Sequence, residues 1–515
     1  MSRRPPTRGR VERWLPVAMA AVVLAVYLLT LAPGLTFENY GTDGGDLVTA
    51  AYTLGVPHPP GYPTYTLLAW LFTRLPLGSI AYRVNLLSAT CAALTVGLCC
   101  SLVLRLLPDE PQRPFLAATA ALSLAFGPLF WSQAVIAEVY ALLALFAALL
   151  LWLLILWEQT SRDGLLLLAA FVLGLGLGNH LTLVFVAPAF LVWAWPLRQR
   201  WLRLRVLLPA AALFLVGSSV YAYLPLAAMH NSPVNWGNPQ TWDRFLWVVT
   251  AEQYQSFVFG LPLADVPVRL SAWSWMFGEQ FGWWGLGLVL VGAWSWGRRD
   301  RRFLLLSLIW ALPLTIYAFF YNTADARTNL LPLLLLLALW WAEGARYLVN
   351  YAQQVRAGWR RVALAVVVVL PLVSLGLNWS AVDLSDERSV QTYTNQVLEQ
   401  AAPDSLIVVR EDGPTFALWY AVYAEGQRPD VAVVSGPLLA YIWYRDHVQQ
   451  MYPTIDIPQP WSYDLTIDDL TRELIGRNLQ SRPVYATDPR EPWPTWYDFD
   501  QVDDLELYRV SPRSP

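Results

Sequence analysis

The stretch LPVAMAAVVLAVYLLTLAP at residues 15–33 carries no charge and is long enough to cross a bilayer, which takes about 20 apolar residues. Five arginines precede it and no small-residue cleavage site follows, so we interpret it as a retained membrane helix rather than a signal peptide. Outward from it, ten more apolar runs predict a polytopic α-helical membrane protein with about 11 spans. These runs are 85–107, 115–130, 134–157, 165–178, 181–196, 206–227, 283–296, 303–321, 330–343 and 362–379.

The composition is typical of a membrane protein. Apolar residues make up 56% of the 515 residues and charged residues 14%, whereas soluble domains carry about a quarter charged residues. This excludes a soluble enzyme, a disordered chain and a nucleic-acid-binding protein. Cys91, Cys99 and Cys100 lie within one apolar run, so there is no disulfide framework and no metal-type cysteine spacing.

Arginine is distributed unevenly over the loops between the predicted spans. With a cytoplasmic N-terminus, 20 arginines fall inside and 5 outside, which satisfies the positive-inside rule. We therefore expect a multi-pass protein of the cell membrane. Its N-terminus is expected in the cytoplasm, and the tail after Trp379 outside the cell.

The charge of the chain also changes along its length and divides it into two predicted domains. Residues 1–379 carry a net charge of +9 and residues 380–515 a net charge of −12. We expect 1–379 to be a transmembrane domain whose long outside loops, 34–84 and 228–282, fold as short helices on the membrane surface. In the tail, β-type runs alternate with helical stretches, which predicts a small extracytoplasmic α/β domain. The β-type runs are 405–410, 430–435, 483–486 and 507–510, and the helical stretches are 415–425, 438–451 and 468–479.

Acids and histidines stand out in the first outside loop because the outside loops hold few charges. In TFENYGTDGGDLVTAAYTLGVPHPPGYPTY (36–65), Asp43 and Asp46 flank two glycines, and His58 follows in a proline-rich turn. Glycine permits turns that other residues avoid, so both carboxylates are predicted to face one cavity. A carboxylate at the membrane surface is suited to act as a base on a hydroxyl group. The alternative is a solvated loop with turn-forming aspartates; a calcium loop would need more oxygen ligands at closer spacing.

Other polar residues near the outside ends of spans are weaker candidates when taken singly. Glu138 is costly at membrane depth unless it is paired or faces a cavity, so a functional acid and a buried structural pair are both open. His180 is suited to an interfacial or capping role. Asp325 and Arg327 could simply pair with each other.

The string DGGDLVTAAYTLGVPHPPGYPTYTLLAWLF (43–72), followed by RVNLLSA (83–89), resembles the opening block of a family long catalogued as a domain of unknown function. Further blocks of that family are similar to FWSQAVIAEVYALL, GLGLGNHLT, YLPLAAMHNSPVNWGNPQTWDRFLWVVTAEQY and RPDVAVV, so the likeness covers nearly the whole chain. The family's vertebrate member is a protein O-mannosyltransferase. Its fold is that of the GT-C glycosyltransferases, which implies a GT-C-like catalytic domain over 1–379.

The resemblance implies transfer of a sugar, such as mannose, from a polyprenyl-phosphate donor to a hydroxyl acceptor on the outer face of the membrane. It also implies that the configuration at the anomeric carbon is inverted. Asp43 matches the family's aspartate, which implies that it is the base. Asp46, the second candidate catalytic residue, stands where the family has glutamate. The acceptor is not implied and could be a protein, a lipid or a glycan. Nothing in the sequence demands a cofactor, and a divalent metal ion held by Asp43, Asp46 and Glu138 is an open alternative.

The donor phosphate would meet basic groups on the outside. Arginine is suited to this role because it binds phosphate in a bidentate manner. The candidate phosphate-binding residues are His58, Arg83, His180 and Arg327, with Glu138, Asn85 and Asp325 as supporting residues. For Arg83 and Asn85, the alternative is that they anchor the second span at the interface.

Two other classes of function are the alternatives: a secondary transporter and a non-catalytic membrane scaffold. About eleven spans would suit a transporter, but transporters place charged residues near the bilayer midplane. Here the interiors of the predicted spans are nearly free of charge. Loss of catalytic groups would favour a scaffold, whereas Asp43 is present.

Overall fold

The structure, a computed structural model, describes residues 9–458 and 465–513. Residues 1–8, 459–464 and 514–515 lie outside the described residues. Arg3, Arg4 and Arg8 of the predicted cytoplasmic N-terminus are among them, so the structure does not describe those three arginines.

Eight helices in the described ranges are long and apolar enough to cross a membrane, judged by length and composition. They are Arg10–Leu29, Ile80–Leu106, Tyr140–Thr160, Leu181–Trp201, Leu204–Ala228, Arg301–Phe320, Ala326–Val355 and Trp359–Val382. Arg113–Ala125 and Gly164–Leu177 are shorter apolar helices, and Trp283–Arg299 is a further helix of 17 residues. Each of the eleven predicted runs overlaps one of these helices, but eight of the helices have the length and composition of a span, so the count of about 11 stays a prediction. The prediction of a polytopic helical membrane protein is confirmed, and the chain is a multi-pass membrane protein.

Small residues allow these helices to pack closely. A Cβ atom on Gly292 would lie 1.7 Å from the carbonyl oxygen of Trp340, and one on Gly344 would lie 1.9 Å from that of Leu288. Only glycine permits such an approach of two backbones, as in other membrane helix pairs. The helix Ala326–Val355, which carries Gly344, is apolar and buried throughout its most hydrophobic window.

The tail contains a mixed five-stranded sheet. Its strands are β1 (Leu406–Val409), β2 (Ala432–Ser435), β3 (Val484–Ala486), β4 (Tyr497–Gln501) and β5 (Tyr508–Pro512), in the order β2-β1-β3-β5-β4. β1 pairs in parallel with β2 and β3, and β5 pairs antiparallel with β3 and β4. Every residue of β1, β2 and β3 is buried, as is typical of parallel strands covered on both faces. The predicted small α/β domain is confirmed.

The remaining helical segments are short. Those before the tail are Glu38–Asp43, Gly44–Thr53, Pro63–Thr73, Pro128–Ser132, Trp242–Val249, Glu252–Phe257, Leu263–Asp265 and Val266–Phe281. Those of the tail are Ser389–Gln400, Asp412–Trp419, Tyr420–Ala424, Pro437–Ala440, Ile442–Met451, Ile467–Asn478 and Trp493–Thr495. Both long outside loops therefore fold largely as short helices, and their position on the membrane surface stays a prediction.

By the density of its contacts, the chain divides into two compact units. The first consists of Met1–Leu31, Asn85–Tyr221 and Tyr254–Ser385, and the second of Ala32–Val84, Ala222–Gln253 and Asp386–Pro515. The second unit thus combines the whole first outside loop and part of the other long loop with the tail. The predicted domain boundary at residue 379 follows chain order and stays a prediction.

Candidate functional site

Asp43 and Asp46 lie at the start of one short helix in the second unit. Asp43 is the residue before the helix Gly44–Thr53, and Asp46 lies in its first turn. The predicted reason for the intervening glycines was wrong, because Gly44 has helical backbone angles. Gly45 serves a close approach instead, since a Cβ atom there would lie 2.4 Å from the carbonyl oxygen of Phe416.

The carboxylate of Asp46 is completely buried and accepts three hydrogen bonds. Its Oδ2 accepts from the backbone N–H of His58 at 2.9 Å and lies 2.8 Å from Nδ1 of the same residue. Its Oδ1 accepts from Nε1 of Trp236 at 2.8 Å. A buried charge requires such partners, so Asp46 is fixed by the residues around it. Trp236 comes from residues 222–253, which join the first loop through the bridge between Val56 and Asn235.

His58 lies between the two aspartates. Its Nε2 is 3.6 Å from Oδ2 of Asp43, and its side chain is 7% exposed, against 42% for Asp43. Burial lowers the pKa of His58, but the carboxylates of Asp43 and Asp46 outweigh this and raise the pKa from 6.5 to about 9. The ring is therefore a cation at neutral pH, with one nitrogen facing each carboxylate. This position favours an ion-pair role, and phosphate binding by His58 stays a prediction.

The tail adds Asp412, which the sequence interpretation missed. Asp412 is the first residue of the helix Asp412–Trp419, whose Phe416 backbone contacts Gly45. Its side chain is exposed, yet the surrounding protein raises its pKa by desolvation and by the like charge of Asp46, against the opposing effect of His58. The sequence signal was the segment EDGP at 411–414, in which two acids precede a proline in the first turn of a helix.

The backbone next to Asp43 and His58 adopts left-handed φ angles, which are uncommon for residues other than glycine. Asn39 and Tyr40, shortly before Asp43, have φ angles of 58° and 66°, and Tyr62, shortly after His58, has a φ angle of 38°. Left-handed φ is uncommon for residues with a Cβ atom, and such positions concentrate at functional sites. The ring of Tyr62 lies edge-on to that of His58, with centroids 5.1 Å apart.

A second polar cluster lies in the first unit. The hydroxyl of Tyr140 donates to Oδ2 of Asp325 at 2.6 Å, and its ring centroid is 5.7 Å from that of His180. Nδ1 of His180 lies 2.8 Å from the hydroxyl of Thr182. Burial lowers the pKa of His180 to about 4, although Asp325 opposes this effect. His180 is therefore neutral at pH 7, and its predicted contact with a phosphate would be a hydrogen bond without charge.

The guanidinium group of Arg83 is hydrogen-bonded to backbone carbonyl oxygens of its own loop. Its Nε, Nη1 and Nη2 donate to the carbonyl oxygens of Leu77, Thr73 and Gly78 at 2.6, 2.7 and 3.0 Å. These bonds close the turn ahead of the helix Ile80–Leu106, as the anchoring alternative requires. Phosphate binding by Arg83 stays a prediction.

The other predicted residues lie in the first unit. Glu138 and Asn85 are buried, and the carboxylate of Glu138 accepts from the backbone N–H of Val139 at 3.3 Å. The carbonyl oxygen of Glu138 accepts from the hydroxyl of Ser88 at 3.3 Å. Arg327 is half-buried in the segment Ala326–Leu330. Throughout residues 9–458 and 465–513, no group of three or more His, Cys, Asp or Glu side chains is arranged to hold a metal ion.

Two family models match the chain. The model described as "Protein O-mannosyl-transferase TMEM260 N-terminal domain" matches residues 43–201, and "TMEM260-associated domain 2" matches residues 390–493. Asp43, Asp46, His58 and Arg83 lie within the first match, and Asp412 lies within the second.

Curated relatives and a solved structure are also similar to this chain. The Protein O-mannosyl-transferase TMEM260 of Mus musculus is 30% identical over 472 residues, covering 86% of this chain and 65% of that protein. The tmem260 protein of Dictyostelium discoideum is 22% identical over 516 residues, with 89% and 62% covered. The chain thus spans less than two thirds of the length of either relative. ArnT from Cupriavidus metallidurans, bound to undecaprenyl phosphate, aligns with a TM-score of 0.58 at 12% identity over 98% of both chains, which shows a common fold.

Proposed function

Since this chain belongs to the TMEM260 family, we propose that it is a membrane glycosyltransferase that moves a sugar from a polyprenyl-phosphate donor to a hydroxyl group of a protein. The names of its relatives support mannose as the sugar and a protein as the acceptor. The undecaprenyl phosphate held by the ArnT structure, which shares this fold, supports a polyprenyl phosphate as the donor lipid.

The pairing of a half-exposed Asp43 with a buried, positively charged His58 is the observation that carries the proposal. Asp43 is accessible to an acceptor, whereas Asp46 is buried and has its oxygens occupied by three donors. Of the two aspartates, only Asp43 is therefore placed to take a proton from a substrate. We assign Asp43 as the base and Asp46 as the residue that positions His58.

The reaction then proceeds in one displacement. The acceptor hydroxyl gives its proton to Asp43, and its oxygen forms a bond to the anomeric carbon with inversion. The bond from that carbon to the phosphate oxygen breaks, and the lipid phosphate leaves with the electron pair. The transition state of such a displacement resembles an oxocarbenium ion.

The leaving phosphate gains negative charge and needs a positive group near it. Arg327 is the candidate that we retain for this role, because guanidinium groups match phosphate geometry. Asp325, two residues before Arg327, belongs to the polar cluster with Tyr140 and His180. We propose that this cluster contacts the donor.

A transfer assay tests the proposal. Purified protein in lipid vesicles receives a polyprenyl-phosphate mannose labelled in the sugar, together with a peptide that carries serine and threonine. We expect labelled peptide with the unaltered protein, much less with Asp43→Asn, and unchanged labelling with Asp243→Asn, an exposed aspartate of the second loop.

Two results would overturn the proposal at different levels. Near-normal transfer by Asp43→Asn would show that the base is misassigned, and loss of transfer by a folded Glu138→Gln would point to that acid instead. No transfer by the unaltered protein, with no glycoprotein difference between a deletion strain and its parent, would reject the activity itself.

A further inference from the structure

An apolar cavity of about 270 Å³ lies between four helices of the first unit. Its lining residues come from Tyr140–Thr160, Gly164–Leu177, Leu181–Trp201 and Leu204–Ala228, all of which are apolar helices. The cavity is larger than the engineered apolar cavity of about 150 Å³ that stays dry and binds benzene. A space of this size and lining therefore suits a hydrocarbon chain better than water.

Residue size explains where the cavity forms. A Cβ atom on Gly174 would lie 2.4 Å from the carbonyl oxygen of Phe214, and one on Gly217 would lie 2.3 Å from that of Phe171, so the two helices touch at this level. Two turns away along Leu204–Ala228, the side chain facing the cavity is Ala210. Ala169, Ala170, Ala187 and Ala194 line the same space, and their small side chains leave it unfilled.

The cavity ends beside an arginine-rich turn. Trp201 and Val206 both line it, so residues 202–205 between them lie at its edge. Arg203 and Arg205 in this turn are exposed, and neither forms an ion pair with a carboxylate in the described part of the chain. Arg200 differs, because it pairs with Asp163 at 2.9 Å.

The cavity opens towards the bilayer at two of its lining residues. The side chains of Leu191 and Leu207 are 54% and 40% exposed although they belong to membrane-spanning helices. The most apolar window of Leu204–Ala228 is only 11% buried, so this helix lies at the periphery of its unit. What enters the cavity from that side is lipid.

We propose that the cavity holds an acyl chain of an anionic phospholipid whose phosphate group is bound by Arg203 and Arg205. The apolar lining binds the acyl chain, and the two exposed guanidinium groups favour a lipid with a negatively charged headgroup. Basic pockets between membrane helices bind anionic headgroups in the same way. The arginine-rich turn belongs to the predicted cytoplasmic side, so the lipid is one of the cytoplasmic leaflet. This site is independent of Asp43 and of the proposed transfer reaction.

Photolabelling in vesicles tests the proposal. The full chain is reconstituted with a phosphatidylglycerol that carries a diazirine in its acyl chain, or with the matching phosphatidylcholine, and labelled peptides are identified by mass spectrometry. We expect phosphatidylglycerol to label Gly164–Leu177 and Leu204–Ala228 about tenfold more strongly than phosphatidylcholine, since each arginine near a lipid surface contributes substantially to binding anionic lipid.

Two pairs of variants test separately how the apolar cavity and the two arginines contribute to lipid binding. Ala170→Phe with Ala210→Phe fills the cavity and should abolish labelling, whereas Ala211→Phe, an exposed neighbour outside the cavity, should not. Arg203→Gln with Arg205→Gln should remove the preference for phosphatidylglycerol. The control Arg356→Gln with Arg361→Gln removes two positive charges elsewhere, and this variant should keep the preference for phosphatidylglycerol.

Two outcomes would overturn the proposal. Equal labelling by both phospholipids would show that the arginines do not select an anionic lipid. Displacement of the probe by polyprenyl phosphate at concentrations where unlabelled phosphatidylglycerol has no effect would show that the cavity belongs to the sugar donor.

Discussion

Asp46 binds His58 through one carboxylate oxygen, Oδ2, which accepts the backbone N–H at 2.9 Å and lies 2.8 Å from the ring Nδ1. This double contact fixes both the backbone and the ring of His58. Since Nδ1 faces Asp46, the other ring nitrogen, Nε2, faces Asp43 at 3.6 Å. The buried aspartate therefore determines how the exposed one is held.

Asp46→Asn is expected to destabilise the protein severely. The amide nitrogen of asparagine cannot accept the bonds that Oδ2 receives from His58, and a buried cation would lose one of its two carboxylate partners. Removing one member of a buried ion pair costs about 3–5 kcal/mol. Unfolding in detergent should show a loss of this order, and a change below about 1 kcal/mol would mean that the pair does not hold the loop.

Asp43→Asn is expected to slow the reaction strongly and to lower stability less than Asp46→Asn does. The carboxylate is 42% exposed, so its replacement leaves no buried group without a partner beyond the weaker contact to His58. General-base assistance contributes on the order of 10²–10⁴-fold, so transfer should slow by at least about a hundredfold. Binding of donor lipid, measured with unreactive polyprenyl phosphate, should remain. Loss of donor binding would assign Asp43 to the donor site instead.

The fold could largely be predicted because membrane helices have a strong sequence signal. All eleven apolar runs fall on helices, and the parallel strands β1, β2 and β3 match apolar runs. The helix Ser389–Gln400 was missed because its buried residues are few: Val390, Thr394, Val397 and Leu398. β4 was missed because its exposed and half-buried residues carry no apolar run.

The site could be predicted only where its residues are close in sequence. Asp43, Asp46 and His58 lie within 16 residues, and the structure brings them together. Trp236 is 190 residues from Asp46, and Asp412 is more distant still. Neither carries a local pattern that links it to the first loop, so their contribution depends on the folding of the second unit.

Gly45→Ala is expected to disturb the contact between the first loop and the tail. The new methyl group would lie 2.4 Å from the carbonyl oxygen of Phe416 and 2.5 Å from its carbonyl carbon, and backbone atoms cannot rotate away. Overpacking of this kind costs about 1–3 kcal/mol. Gly34→Ala is the matched control, since a Cβ atom on Gly34 meets nothing within 4 Å. Equal unfolding temperatures for both variants would contradict this account of Gly45.

Cysteine labelling can test the predicted orientation. Cys91, Cys99 and Cys100 are buried, so the background reaction with a membrane-impermeant maleimide should be low. Gln480→Cys in the tail should react in intact cells, and Gln199→Cys beside the arginine-rich turn should react only after the membrane is opened. Both replaced side chains are exposed. The opposite pattern would reverse the orientation and place Asp43 in the cytoplasm.

The charge on His58 predicts how stability depends on pH. The pKa of His58 is about 9 in the folded protein, against 6.5 for an unperturbed histidine, so the folded state binds the proton more tightly. This stabilisation is fully present below pH 6.5, declines as the pH rises towards about 9, and is absent above it.

The size of this stabilisation by His58 is on the order of 3 kcal/mol, from about 1.4 kcal/mol for each pKa unit. Asp43, Asp46 and Asp412 are the acidic groups that face His58. The unfolding temperature in detergent should therefore fall over this interval in the unaltered protein, and His58→Gln should have a flatter profile. Identical slopes for the two proteins would show that His58 is not held as a cation.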